Sequence, residues 1–271
     1  MYPSSQSSSL VRTVRIIPRL DVKGPNVVKG IHMEGLRVID APRTLARKYF
    51  EQGADELLYM DIVASLYGRS IDVDLVRGVA EELFIPLTVG GGIRSLKDIQ
   101  NCLTAGADKV AINSYATKHP EFLREAAHHF GAQCIVLSVE AKRWHFADGT
   151  QKQGWEVYTD GGREHSGRDV VDWVKEALSY GIGEILLTSV DREGTRKGYD
   201  EELIAAIAPF ADVPIIVNGG ARDSQSMVQA VRTCKADAVG LATILHYDQA
   251  TIGDLKKELA MSGIPVRPIH P

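Results

Sequence analysis

Ile85-Pro-Leu-Thr-Val-Gly-Gly-Gly92 returns later in the chain as Val213-Pro-Ile-Ile-Val-Asn-Gly-Gly220, an offset of 128 residues from 85 to 213. Upstream, Gly53-Ala-Asp-Glu-Leu-Leu58 returns as Gly181-Ile-Gly-Glu-Ile-Leu186 at the same offset. Downstream, Ala107-Asp-Lys-Val110 returns as Ala236-Asp-Ala-Val239. The opening segment Ile16-Ile-Pro-Arg-Leu-Asp-Val-Lys23 matches Ile135-Val-Leu-Ser-Val-Glu-Ala-Lys142, an offset of 119 from 16 to 135. Four strand-like segments recur in the same order, so the chain carries a doubled βα array.

A four-strand half leaves two sheet edges that a second half can close. Eight βα units in 271 residues therefore predict an α/β chain folded as one (β/α)8 TIM barrel, built from two homologous half-barrels. Strands are expected near 14–20, 56–61, 85–89, 108–112, 134–139, 184–188, 214–217 and 237–241, with helical patterns such as Arg43–Phe50 and Val170–Leu178 between them. The halves cover about 13–132 and 133–260 of a single domain, 13–271. A doubly wound open sheet is the rival, but its reversal of strand order has no need of tandem equivalence. Two segments exceed a tight βα loop, one from Lys23 to about Pro42 and one from Ala141 to about Arg168. Long loops on the active face of a barrel carry lids or binding surfaces.

Composition narrows the class of function. The chain is 44% apolar and 24% charged, as in globular proteins, and a net charge of −4 with no basic block argues against nucleic acid as a partner. No apolar run approaches the ~20 residues of a membrane span. Residues 1–12 read as a disordered tail without a signal peptide's apolar core. Cys102, Cys134 and Cys234 are odd in number and widely spaced, which suits buried reduced thiols in a cytoplasmic protein. His128, His129, His145 and His165 have no metal-ligand spacing and read as solvated surface residues, so neither a metal nor a cofactor is expected.

Asp21 and Glu140 end strands 1 and 5, which face each other across an eight-stranded barrel. Side chains alternate along a strand, so Arg15, Ile17, Arg19 and Asp21 share one face and the apolar Ile16, Pro18 and Leu20 the other. The mixed face points inward. Opposed carboxylates at the mouth serve as general acid and base if their surroundings split their pKa values. Gly91 and Gly92 follow strand 3, and Asn218, Gly219 and Gly220 follow strand 7. Asn113-Ser114 after strand 4 and Ala242-Thr243 after strand 8 complete each pair. Glycine lets backbone N–H groups approach an anion, so two equivalent copies imply a ligand with a phosphate at each end. Arg15, Glu56, Lys109 and Glu184 lie near the starts of strands 1, 2, 4 and 6 and would form a ring of alternating charge closing the barrel floor, either as a structural plug or as a gate.

Together these residues resemble the cyclase subunit of imidazole glycerol phosphate synthase, over about Arg15 to Arg267. Leu20-Asp21-Val22-Lys23, Val28-Lys29-Gly30, Gly53-Ala-Asp-Glu56, Thr88-Val-Gly-Gly-Gly-Ile93, Gly106-Ala-Asp-Lys109, Gly183-Glu-Ile-Leu-Leu-Thr188 and Asp191-Arg-Glu-Gly194 with Gly198-Tyr-Asp200 carry the likeness. The resemblance implies a heterodimer with a glutaminase subunit, whose ammonia enters through the charged ring and meets a bis-phosphate ribulosyl aminoimidazole carboxamide at the top. Products would be imidazole glycerol phosphate and the carboxamide ribotide. It also implies catalytic roles for Asp21 and Glu140, a closing role for Lys29 on the loop after strand 1, and a place for Gly194 in the second phosphate grip.

Three positions depart from the family pattern. Arg19 stands where a cysteine is usual and should pull down the pKa of Asp21 while narrowing the ammonia path. Glu140 replaces aspartate, and a displacement of ~1 Å can cost ~10²-fold in rate. Asn218 replaces a small residue and would clash with or re-aim a phosphate contact. These edits leave room for two other readings: a cyclase-like paralogue delivering ammonia for amidation of a surface sugar, or a non-catalytic channel subunit that activates a glutaminase.

Overall fold

The computed structural model describes residues 12–145 and 152–269, so the tail expected over 1–12 lies, Arg12 apart, outside the described residues. Twelve strands follow one another: β1 (Arg15–Lys23), β2 (Asn26–Ile31), β3 (Glu34–Asp40), β4 (Leu57–Asp61), β5 (Leu87–Gly90), β6 (Lys109–Ile112), β7 (Ile135–Arg143), β8 (Trp155–Thr159), β9 (Glu164–Asp169), β10 (Glu184–Ser189), β11 (Ile215–Asn218) and β12 (Ala238–Leu241). Eight of them run parallel in the order β1-β4-β5-β6-β7-β10-β11-β12, and β12 pairs back onto β1. The result is a (β/α)8 barrel, which abolishes every edge of the central sheet.

Alternation along the strands divides the apolar residues into two cores. Ile17, Leu58, Ala111, Val136, Leu186, Ile216 and Ala238 fill the lumen. Ile16, Leu20, Tyr59, Val89, Val110, Leu137, Ile185 and Val239 face outward against the helical ring. The duplication extends to the caps. Ser95 accepts from the Asp98 N–H and starts helix Leu96–Thr104, while Asp223, 128 residues on, accepts from the Ser226 N–H and starts helix Ser224–Cys234. Each satisfies an orphan donor just beyond a glycine turn.

Each of the two long segments carries an antiparallel hairpin among its described residues. β2 and β3 pair antiparallel after β1, and β8 and β9 pair antiparallel after β7. Sequence periodicity hid them because their strands are short and interrupted by polar residues and glycine. At the tip of the first, His32 and Met33 have φ of 52° and 65°, a primed-turn conformation that costs energy without glycine. Contacts with the loop after β10 hold it there. The His32 N–H donates to the Glu193 carbonyl at 2.9 Å, and His32 Nδ1 lies 3.0 Å from the Val190 carbonyl. Among the described residues no helix is long and apolar enough to cross a membrane.

At the opposite end, one small motif stitches strand to strand. Asp55 accepts from the Ile16 N–H, Asp108 from the Leu87 N–H and Asp237 from the Ile215 N–H, at 2.8–2.9 Å. Asp108, which reads from sequence as a rim acid open to solvent or to a docked subunit, thus also serves the sheet. Replacing Asp108 by alanine strands a buried donor and should lower stability by ~1–3 kcal/mol. Urea unfolding of Asp108→Ala checks this, and a variant as stable as the parent would show that the bond contributes nothing.

Candidate active site

Asp21 and Glu140 sit at the mouth end of β1 and β7, buried and directed inward from opposite sides of the barrel. Arg19, one inward position below Asp21, is only 1% exposed. Its Nε donates to Asp21 Oδ1 at 2.7 Å, and its Nη1 donates to Thr188 Oγ1 on β10 at 3.0 Å. Lys29, carried in by β2, donates to Asp21 Oδ2 at 3.2 Å and to Glu193 Oε1. Asn218 Nδ2 donates to Glu193 Oε2 at 3.1 Å. Arg19 and Lys29 therefore balance Asp21 and Glu193, with Glu140 left over.

That surplus separates the two mouth carboxylates. Burial alone would raise Asp21, but Arg19 and Lys29 outweigh it and hold the group down at about 2. Burial also raises Glu140, where Arg19 and the Gly162 N–H offset it only in part, so it is pushed up to about 7. Glu140 Oε2 accepts from Asn113 Nδ2 at 3.1 Å and from the Gly162 N–H at 2.8 Å. The extra methylene of this glutamate is thus taken up by a fixed clamp, and the β8–β9 hairpin supplies half of it. At neutral pH one carboxylate is ionised and the other is near half-protonation, the arrangement that acid–base work requires.

The first glycine turn opens into a cavity of about 390 Å³ lined by Gly91, Gly92, Asn113, Ser114, Glu140 and Arg19, among others. Gly91, at φ +108°, would place a Cβ only 2.1 Å from the Asp61 carbonyl oxygen, so no larger residue fits. The second turn gathers Gly194, Asn218, Gly219, Gly220, Ala242 and Thr243 around a space of only about 10 Å³. The docked hairpin accounts for that closure. A Cβ on Gly194 would lie 2.4 Å from the Gly30 carbonyl oxygen, where the strand-1 hairpin presses on the loop after β10. Asn218 does not block the glycines; its side chain turns inward to Glu193.

At the barrel floor the four charged residues close a complete circuit. Arg15 contacts Glu56 at 2.6 Å and Glu184 at 2.7 Å, and Lys109 contacts the same two at 2.8 and 2.7 Å. Neither cation touches only one anion, so opening the ring requires concerted movement.

Sequence reasoning missed Glu193 and Thr188 as site residues, and Asp160, which accepts from Ser65 Oγ beside the first cavity. The one signal for Glu193 was the Asp191-Arg-Glu-Gly194 motif, which carries the resemblance without giving its glutamate a role. His165 is not simply solvated: its ring links Tyr158 Oη at 3.1 Å with Glu156 Oε2 at 2.9 Å. Trp155 packs rather than facing a ligand, its Nε1 donating to Asp200 at 3.3 Å under Arg143.

A closed (β/α)8 barrel with opposed carboxylates and two glycine turns at its mouth and a charged ring at its floor has the architecture of a barrel enzyme, whose chemistry sits at the C-terminal ends of the strands. The model of the family described as histidine biosynthesis protein matches residues 15–251, and the chain belongs to that family. Relatives named imidazole glycerol phosphate synthase subunit HisF are similar over most of their length. The one from Legionella pneumophila is 56% identical over 207 residues, 76% of this chain and 95% of the relative. Those from Streptococcus sanguinis and Synechocystis are 47% and 49% identical over 253 residues, 93% of this chain and 98% and 96% of the relatives.

The split pKa values also predict a stability profile. A group whose folded value lies above its unfolded one stabilises fully below the unfolded value and loses that contribution as pH rises through the folded one. For Glu140 the window runs from 4.5 to about 7. Stability should fall by on the order of 3 kcal/mol across it, and Glu140→Gln should remove that fall. Urea midpoints from pH 4 to 8 test this; an unchanged profile in the variant would contradict it.

Proposed function

We infer that this chain is the cyclase subunit of an imidazole glycerol phosphate synthase, an ammonia-dependent lyase of histidine biosynthesis. The kinship with HisF proteins supports the activity, and the divided protonation of Asp21 and Glu140 supports the way this chain performs it. The one observation that carries the acid–base reading is that division.

In this reading the ribulosyl aminoimidazole carboxamide spans the mouth with one phosphate in each glycine turn. Gly91, Gly92, Asn113 and Ser114 take one end, and Gly194, Asn218, Gly219, Gly220, Ala242 and Thr243 take the other. The second turn receives its phosphate when the strand-1 hairpin lifts and Lys29 leaves Glu193 for the anion. Ammonia from a glutaminase subunit docked below passes Arg15, Glu56, Lys109 and Glu184 and ascends the apolar lumen. Ionised Asp21 accepts a proton as the amine adds, and protonated Glu140 donates one to the departing group. General acid–base catalysis of this kind contributes ~10²–10⁴-fold. Residues 13–271 act as one domain, with halves 13–132 and 133–260 each contributing one carboxylate and one phosphate turn.

Arg19, Glu140 and Asn218 fit this reading. Arg19 is neutralised by Asp21, Glu140 is clamped by Asn113 and Gly162, and Asn218 supports Glu193. The test is turnover of the bis-phosphate substrate with glutamine and the glutaminase subunit. The rate should fall as pH rises through about 7, where Glu140 loses its proton, and Glu140→Gln should lose ~10²-fold or more together with that limb. Stimulated glutaminase without substrate loss would instead favour a channel or sugar-amidation role.

A further inference from the structure

Between the charged floor and the reactive mouth the lumen is packed with apolar side chains. Ile17, Leu58, Ala111, Val136, Leu186 and Ile216 line it, and none exposes more than 2% of its surface. An ammonium ion entering such a space forfeits its hydration without a partner, whereas neutral ammonia loses little. Arg19 closes the upper end. β10, which bears Thr188, is three strands from β1 around the barrel, so a guanidinium bonded to both Asp21 and Thr188 spans the lumen. Thr188 pairs in register with Glu140 on β7, so the bridge ends at the level of the second mouth carboxylate. Arg19 also lines the 390 Å³ cavity at the mouth, one inward position below Asp21, so it lies between the apolar lumen and that cavity.

We propose that Arg19 is an upper gate on the ammonia path: a positioning residue that seals the apolar lumen from the mouth and opens by releasing Thr188 while remaining paired with Asp21. This rests on the cyclase reading above. The bond to Thr188 is the part free to break, because its acceptor is a neutral hydroxyl, whereas the Asp21 contact joins opposite charges. Without the seal, ammonia would reach the mouth before substrate, take a proton from Glu140 and escape as ammonium into water.

The experiment uses the complete complex with its glutaminase subunit and compares the parent, Thr188→Val and Arg19→Ala. Glutamate, free ammonium and cyclised product are measured under saturating bis-phosphate substrate. Thr188→Val keeps the volume and the Arg19–Asp21 pair but removes the far anchor. With the gate intact, glutamate and product should form one for one. In both variants glutamate should exceed product several-fold, with ammonium appearing in solution. The ratio of glutamine-driven to ammonium-driven turnover should fall several-fold too, since external ammonia enters by the mouth. A merely structural or pKa-setting role would slow both drives alike and leave the one-for-one yield intact, which would overturn the gate. If the parent complex turns over no substrate with either nitrogen source, the cyclase reading itself fails and the gate falls with it.

Discussion

Two buried cations face two buried carboxylates at the mouth of this barrel, and most of what the site can do follows from that balance. Arg19 and Lys29 each touch Asp21, and Lys29 also holds Glu193. Burying any one of these charges alone would be prohibitive, and a buried pair is a poor stabiliser beside apolar packing of equal volume. The cluster therefore does more for function than for stability. It fixes Asp21 as an anion, leaves Glu140 without a full partner, and ties the strand-1 hairpin to the loop after β10. Removing Arg19 must change the protonation of both mouth carboxylates, and removing Lys29 that of Asp21 together with the closure of the hairpin.

The scaffold makes the cluster possible. Strands from opposite halves bring Asp21 and Glu140 to one level, and the two hairpins, inserted at equivalent positions, deliver Lys29 to one carboxylate and the Gly162 N–H to the other. At the far end the duplication places Glu56 and Glu184, and Arg15 and Lys109 each bridge the two into a ring of alternating charge. Between these polar ends the lumen is apolar. A neutral molecule can be handed from one to the other without meeting water.

The barrel was legible because the repeat is written in strand cores and glycine turns, where burial and positive φ restrict what a position accepts. Parity along β1 was enough to place Arg15, Ile17, Arg19 and Asp21 inside, and the proximity of Arg19 to Asp21 foretold the direction of its pKa. The hairpins were not legible, since their pairing depends on docking against loops that lie far away in sequence. Glu193 was hidden for the same reason: its partners, Lys29 and Asn218, are 164 and 25 residues distant. Asn218 illustrates the converse. As a substitution in a glycine turn it suggests a clash with phosphate, yet its place on the inward face of β11 sends the side chain to a carboxylate instead.

The central claim is that Glu140 stays protonated towards neutrality while Asp21 does not. Infrared difference spectra of the chain against Glu140→Gln and Asp21→Asn, recorded across pH, read the carboxylic C=O band of each residue directly. A Glu140 band that disappears with a midpoint near 7, and no Asp21 band down to pH 3, is the expected result. A Glu140 midpoint near its ordinary 4.5, or an Asp21 band persisting above it, would contradict the account.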